Sequence, residues 1–252
     1  MVVMEKWGEW FKAGGWIYAM VPSFPTPGNH EYPIDESKNR SLSRYWKPQF
    51  TLPGNGVEGL EETVYFMDYQ GVRIISLNSN ERLEEQRRWL EDVLRKNPNR
   101  WTVVTFHHPV FSSAQGRDNR ELKALWKPIF DRYRVDIVLQ GHDHNYARGR
   151  NLPTGANVQD PGTGTVYVVS VSGAKMYSLD RNPWIEKSRE NTQLYQVISV
   201  NQDTLHYQAI TATGEIFDSF DLIKTKGGVN RFVERVPSGE YKNSYGSSIG
   251  RE

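Results

Sequence analysis

Val135-Asp136-Ile137-Val138-Leu139-Gln140-Gly141-His142-Asp143-His144 carries an apolar strand directly into a loop holding two histidines. Trp101-Thr102-Val103-Val104-Thr105-Phe106-His107-His108 repeats the plan about thirty residues earlier. Between them, Leu122, Leu125, Trp126, Ile129, Phe130 and Tyr133 fall on one face of a helix, opened by a capping-box-like Asp118 and Glu121. Strand, helix, strand in this order implies a sheet flanked by helices, an α/β fold. In such folds the loops leaving the strands concentrate the chemistry.

Upstream, Thr63–Tyr69 and Val72–Leu77 flank a Gln70-Gly71 turn and read as a hairpin. Residues 81–96 read as a charged helix with Leu83, Leu90, Val93 and Leu94 inward. Residues 33–62, rich in Pro, Gly and charge, read as a long surface excursion over the site. Val21–Pro27 holds three prolines and reads as an extended segment. Trp7, Trp10, Phe11 and Tyr18 suggest an amphipathic helix over 5–20, weakened by Gly14 and Gly15; core packing is a better account of this stripe than sugar binding. In the last third, 166–171, 194–200, 204–210 and 216–223 read as strands of a mainly antiparallel sheet. One domain is expected over 1–224, and a flexible tail over 225–252.

The 252 residues, 37% hydrophobic and 12% aromatic, suffice for a substantial core. A net charge of +1 provides no field to recruit nucleic acid or anionic membrane. With no cysteine, a metal site here has only nitrogen and oxygen donors. No apolar run reaches the ~18 residues of a membrane-spanning helix. Met1–Met20 carries Glu5, Lys6, Glu9 and Lys12, which is not a signal-peptide pattern.

Five of the six histidines lie in three clusters: Gly28-Asn29-His30-Glu31, His107-His108 and Gly141-His142-Asp143-His144. Imidazole is the commonest metal ligand and the usual acid–base group near neutral pH. Gly28-Asn29-His30 is either a plain Asn/Gly turn or a glycine-enabled turn aiming Asn29 at a metal and His30 at substrate. Consecutive side chains on an extended strand diverge. His107 therefore reads as a ligand and His108 as a supporting or phosphate-facing group, unless the pair is one satisfied, half-buried histidine. His142 and His144, at i and i+2, share one ion or serve two neighbouring ones, and Asp143 orients a ligand or caps the turn. His206 reads as a surface residue. Taken together, the three clusters imply one metal-dependent site.

Gly28-Asn29-His30-Glu31, Val104-x-x-His107 and Gly141-His142-x-His144 resemble three of the five motifs of the calcineurin-like metallophosphoesterases. The run Gly141–Arg148 is similar to the Gly-His-x-His-x-Tyr-Glu-Arg box of the purple acid phosphatases, with Ala147 in place of the glutamate. The resemblance spans about residues 5–224 and implies a two-sheet sandwich flanked by helices. It also implies a pair of divalent or trivalent ions (iron, zinc or manganese) and hydrolysis of phosphorylated small molecules, phosphomonoesters above all. Asn29, His107 and His142 would bind one ion and His144 the second; His30 and His108 would act on the phosphate. Relatives of the purple type are often exported.

The family's first two motifs would precede residue 28 and supply the second ion's carboxylates; neither is found there. The expectation is a member truncated at its N-terminus, or a variant with half of its centre, that binds one metal weakly. A phosphodiesterase or nucleotidase of the same superfamily, and a catalytically inactive binding domain, are the rival readings.

Overall fold

Period-two alternation sorts the chain into layers. The larger sheet is built from β1 (Tyr65–Tyr69), β2 (Val72–Ser76), β3 (Trp101–Phe106), β4 (Ile137–Gln140), β5 (Tyr146–Arg150), β6 (Val166–Val169) and β7 (Lys187–Arg189), in the order β1-β2-β3-β4-β6-β5-β7. Its centre, β2-β3-β4-β6, is parallel, and β1, β5 and β7 pair antiparallel at its margins. The smaller sheet holds β8 (Leu194–Val200), β9 (Thr204–Thr211), β10 (Ile216–Lys224) and β11 (Asn230–Glu234), antiparallel throughout. This computed structural model describes residues 4–151, 162–180 and 182–236. Among them, no helix is long and apolar enough to cross a membrane.

Both faces of the parallel strands are apolar, as a sheet covered on two sides requires. Val104, Phe106 and Val138 turn toward the helices α3 (Leu83–Arg95) and α4 (Arg120–Arg132) and pack with Leu90, Trp126 and Phe130. Trp101, Val103, Ile137, Val166 and Val168 turn the other way, onto Leu205, Tyr207, Phe220 and Leu222 of the smaller sheet. The expected sandwich is therefore present, with α3 and α4 covering the larger sheet. In β9 every second residue is buried and the others are partly exposed, whereas residues 217–222 of β10 are buried throughout.

Several local expectations need correction. The helix expected over 5–20 is two helices, α1 (Met4–Gly14) and α2 (Ile17–Met20), because Gly15 takes a left-handed φ of +51°. Only Trp7 of the tryptophan stripe is buried, against Trp46 and Phe50; Trp10 and Trp16 are exposed. The excursion over 33–62 is consequently tethered: buried Trp46 donates its indole N–H to Glu62 O at 2.9 Å. No capping box forms at α4. Asn119 precedes the helix without a side-chain cap, its Nδ2 donating to Pro109 O at 2.8 Å, while Asp118 bonds Arg120. Asn230–Glu234, inside the tail expected from 225, is a strand paired with β10; residues 237–252 lie outside the described ones. β5 and β7 had no sequence signal of their own.

The two sheets are tied together by charge as well as by apolar packing. Arg148 of β5, with 1% exposure, donates to Asp218 of β10 at 2.7 and 3.2 Å, to Glu234 of β11 at 2.9 and 3.1 Å, and to Glu186 at 3.0 Å. Tyr146 adds its hydroxyl to Asp218 at 2.6 Å. Removing one member of such a buried set strands its partner's charge. Arg148→Met is accordingly expected to cost ~3–5 kcal/mol in urea unfolding, whereas Glu186→Gln at the exposed margin costs about 1 kcal/mol or less.

Candidate metal centre

Three parallel strands release their loops on one edge of the larger sheet. Because Phe106 pairs with Gln140, His107 and Gly141 follow at the same level, and Gly141 N–H donates to His107 O at 3.1 Å. β2 delivers Asn78-Ser79-Asn80 beside them. Asn29 and His30 arrive on a short 3-10 turn, Asn29–Glu31, tied down where Gly28 N–H donates to Glu31 Oε2 at 2.8 Å.

Three side chains converge there. His107 Nε2 lies 2.7 Å from Asn29 Oδ1 and 2.9 Å from His142 Nδ1, and His142 Nδ1 lies 3.3 Å from Asn29 Oδ1. A neutral imidazole has one proton and an amide oxygen has none, so protons cannot bridge all three edges of this triangle well. A cation can. Donors about 2.0–2.1 Å from one ion sit roughly 2.9–3.4 Å apart in octahedral or tetrahedral arrangement, close to the observed spacing. The donor set therefore fits one ion. A ring nitrogen of His108 also falls within 4.8 Å of those of His107 and His142.

Electrostatics agree with the geometry. Burial, reinforced by the neighbouring rings, draws His107 down to about 2 and His142 down to about 4. Burial lowers His108 as well. All three rings are thus held neutral, as metal ligation demands.

The surrounding structure explains how this is achieved. Gly28 has an extended backbone, φ −91°, so its turn does not need glycine for conformational reasons. A Cβ there would instead sit 2.9 Å from His107 Nδ1, so glycine is needed for close approach. His142 adopts φ +67°, a left-handed conformation costly for a non-glycine residue and common at functional sites. The loop is therefore not extended, as the i, i+2 reading assumed. Asp143, fully buried, holds it: Oδ2 accepts from Ser112 Oγ at 2.6 Å, Ser113 N at 2.8 Å and Ala114 N at 3.1 Å, and Oδ1 accepts from Arg117 at 3.0 Å. Arg117 also donates to His142 O at 3.2 Å.

The remaining histidines are placed as follows. The chain turns after β3, so His107 and His108 do not diverge; their rings lie 4.9 Å apart and His108 is 4.4 Å from the His142 ring. His144 Nδ1 donates to Lys175 O at 2.9 Å and its ring stacks on Tyr177 at 4.4 Å, which leaves Nε2 unprotonated in the neutral ring. His30 is exposed at the rim. His206 sits in the smaller sheet, 2.5 Å from Asp221 Oδ1. Sequence reasoning missed Ser79 and Arg117. Ser79 had a usable signal, since it leaves an apolar strand as the histidine loops do.

A calcineurin-like phosphoesterase family model matches residues 4–146, more than half of the chain. The chain belongs to that family. An uncharacterised protein of Mycobacterium tuberculosis is 29% identical over 171 residues, covering 59% of this chain and 32% of its own length. Purple acid phosphatase 15 of Arabidopsis thaliana is 27% identical over 177 residues, covering 67% of this chain and 32% of its own. Purple acid phosphatase PPD1 from yellow lupin seeds superposes with a TM-score of 0.68 at 20% identity, over 82% of this chain and 42% of that one. The chain thus spans about a third of the length of these curated relatives. Within this family of metal-dependent phosphoesterases its relatives are of the purple acid phosphatase kind.

Two outcomes follow from the site. Gly28→Ala displaces the His107 ring and is expected to weaken Zn²⁺ binding about tenfold by calorimetry, while Gly54→Ala, where nothing lies within 4 Å, leaves it unchanged. Folded His107 and His142 stay neutral while their unfolded counterparts take up a proton near pH 6.5. The unfolded chain then binds more protons below that pH. Stability of the metal-free chain is full above about pH 6.5 and falls toward about pH 4, by on the order of 1 kcal/mol per pH unit for each ring. Urea unfolding across that range reads the slope, and His107→Gln should flatten part of it.

Proposed function

We propose that this chain carries part or all of the active site of a metal-dependent phosphomonoesterase of the acid phosphatase type. The observation behind this reading is the triangle of Asn29 Oδ1, His107 Nε2 and His142 Nδ1, 2.7–3.3 Å on a side, at the exit of the parallel strands. Relatives named purple acid phosphatase 15 and acid phosphatase type 7 favour a monoester over a diester.

In this proposal Asn29, His107 and His142 hold one ion, and His144 offers its free Nε2 to a second. Bound metal ions would supply Lewis acidity, neutralising the phosphoryl oxygens and lowering the pKa of the attacking water. The chain's own residues do the rest. Asn29 is neutral and the two ligand rings are held neutral, so they add no charge that would cancel the ion's field. His108 faces the same space from the β3 exit and binds a phosphoryl oxygen. His30, exposed at the rim, would in this account hand a proton to the leaving oxygen. Asp143 and Arg117 touch no substrate in this account; they fix the loop that carries His142 and His144.

Among the described residues, no carboxylate joins a histidine group able to hold an ion. We therefore expect this polypeptide by itself to retain one ion and to turn over slowly. A measurable observation separates the readings. Mn²⁺- or Zn²⁺-loaded chain should hydrolyse p-nitrophenyl phosphate faster than bis(p-nitrophenyl) phosphate, and His107→Ala should lower that rate by at least ~100-fold. The opposite preference would make the chain a phosphodiesterase. No turnover, with thermal stability indifferent to added metal, would make it an inactive binding domain.

A further inference from the structure

Ser79 stands on the Asn78-Ser79-Asn80 loop after β2 and is 8% exposed. The loop is clamped on both sides. Asn78 N–H donates to Gln86 Oε1 of α3 at 2.8 Å, Gln86 Nε2 returns a bond to Asn78 O at 2.7 Å, and Asn80 Nδ2 donates to Pro27 O at 3.1 Å. Ser79 Oγ lies 2.9 Å from two atoms of a single residue, the backbone N and the ring Nδ1 of His108.

Those two contacts limit where the protons go. A backbone N–H can only donate, so Oγ accepts from it. Oγ can take a second hydrogen from Nδ1 or give its own to it; only the second arrangement places the hydroxyl hydrogen on an acceptor among the described residues, and it requires Nδ1 to be unprotonated. A neutral imidazole keeps one proton, which must then lie on Nε2. In that arrangement both ring nitrogens are committed, Nδ1 as an acceptor from Ser79 and Nε2 as a donor.

We propose that Ser79 is a positioning residue that holds His108 as the Nε2–H tautomer, so that His108 donates to a phosphoryl oxygen and is kept off the metal. This explains how His108 can lie within 4.8 Å of the ligand nitrogens of His107 and His142 without competing for their ion. The tautomer stands on hydrogen bonding alone; the donation to phosphate rests on the function proposed above.

The two halves are tested separately. Long-range 1H–15N NMR on the full, metal-free chain, labelled at histidine and held above the usual histidine pKa, reads the tautomer, with His108→Gln giving the assignment. The expected spectrum has a pyrrole-type Nε2 and a pyridine-type Nδ1 for His108. Ser79→Ala should yield a tautomer mixture and Ser79→Thr should restore the single form. A wild-type His108 protonated at Nδ1, or a spectrum untouched by Ser79→Ala, overturns the proposal. If Ser79→Ala does not fold, the wild-type and Ser79→Thr spectra decide alone.

For the second half, inorganic phosphate is titrated into the Zn²⁺-loaded chain. Ser79→Ala should weaken phosphate about tenfold while leaving Zn²⁺ affinity unchanged. Loss of Zn²⁺ affinity in His108→Gln would make His108 a ligand and overturn the assignment. A wild-type chain with the expected tautomer but no affinity for phosphate overturns the donor role together with the proposed function, and the tautomer half stands.

Discussion

Parallel pairing of β3 with β4 is the constraint from which the site follows. With Phe106 opposite Gln140, the strands end level, and Gly141 N–H reaches His107 O across the gap. A slip of one residue would send each strand's side chains to the wrong face, putting Thr105 where Val104 and His107 where Phe106 now pack on the helices. The apolar alternation that builds the two cores therefore also fixes the height at which the imidazoles emerge. Packing and chemistry share one register.

Beyond the register, the site depends on close approach and restraint. Gly28 leaves room for the His107 ring, and Asp143, out of contact with water, gathers four donors to hold the loop on which His142 takes its left-handed conformation. A strained residue persists only where its surroundings over-determine it. Here the restraint comes from Ser112, Ser113, Ala114 and Arg117, which lie some thirty residues away in sequence and belong to no histidine cluster. Local stiffness keeps three donor atoms near one another before any ion arrives, so that little ordering cost remains for binding.

Much of this was legible in the sequence for a physical reason. Continuous apolar runs ending in Gly and His announce buried parallel strands with loops at their ends and located β3 and β4, while the Gln70-Gly71 turn located β2 and the helical spacing of apolar residues located α3 and α4. The three histidine clusters on strand exits pointed to a single site, and the grouping of Asn29, His107 and His142 on one ion was what the family resemblance implied. Less was legible where tertiary context decides. β5 carries Arg148 in its middle, a residue that reads as surface until Asp218 and Glu234 are brought to it by the second sheet. β7 has three residues and no apolar pattern. The Asp118 box failed because Asn119 sits at the start of α4. Glycine at 28 looked like a turn requirement and proved to be a matter of space. Ser79 carried only its place at a strand exit, because a serine there has many uses and its distance to His108 alone reveals this one.

The central claim is that one cation is shared by donors from three separate loops. X-ray absorption at the zinc edge of the Zn²⁺-loaded chain tests it most directly, because it counts the imidazoles bound to the ion. The account predicts two imidazole nitrogens with oxygen donors beside them at about 2.0–2.1 Å, and one imidazole fewer in His142→Ala. A zinc shell of oxygens alone, or one that His142→Ala leaves unchanged, would contradict it.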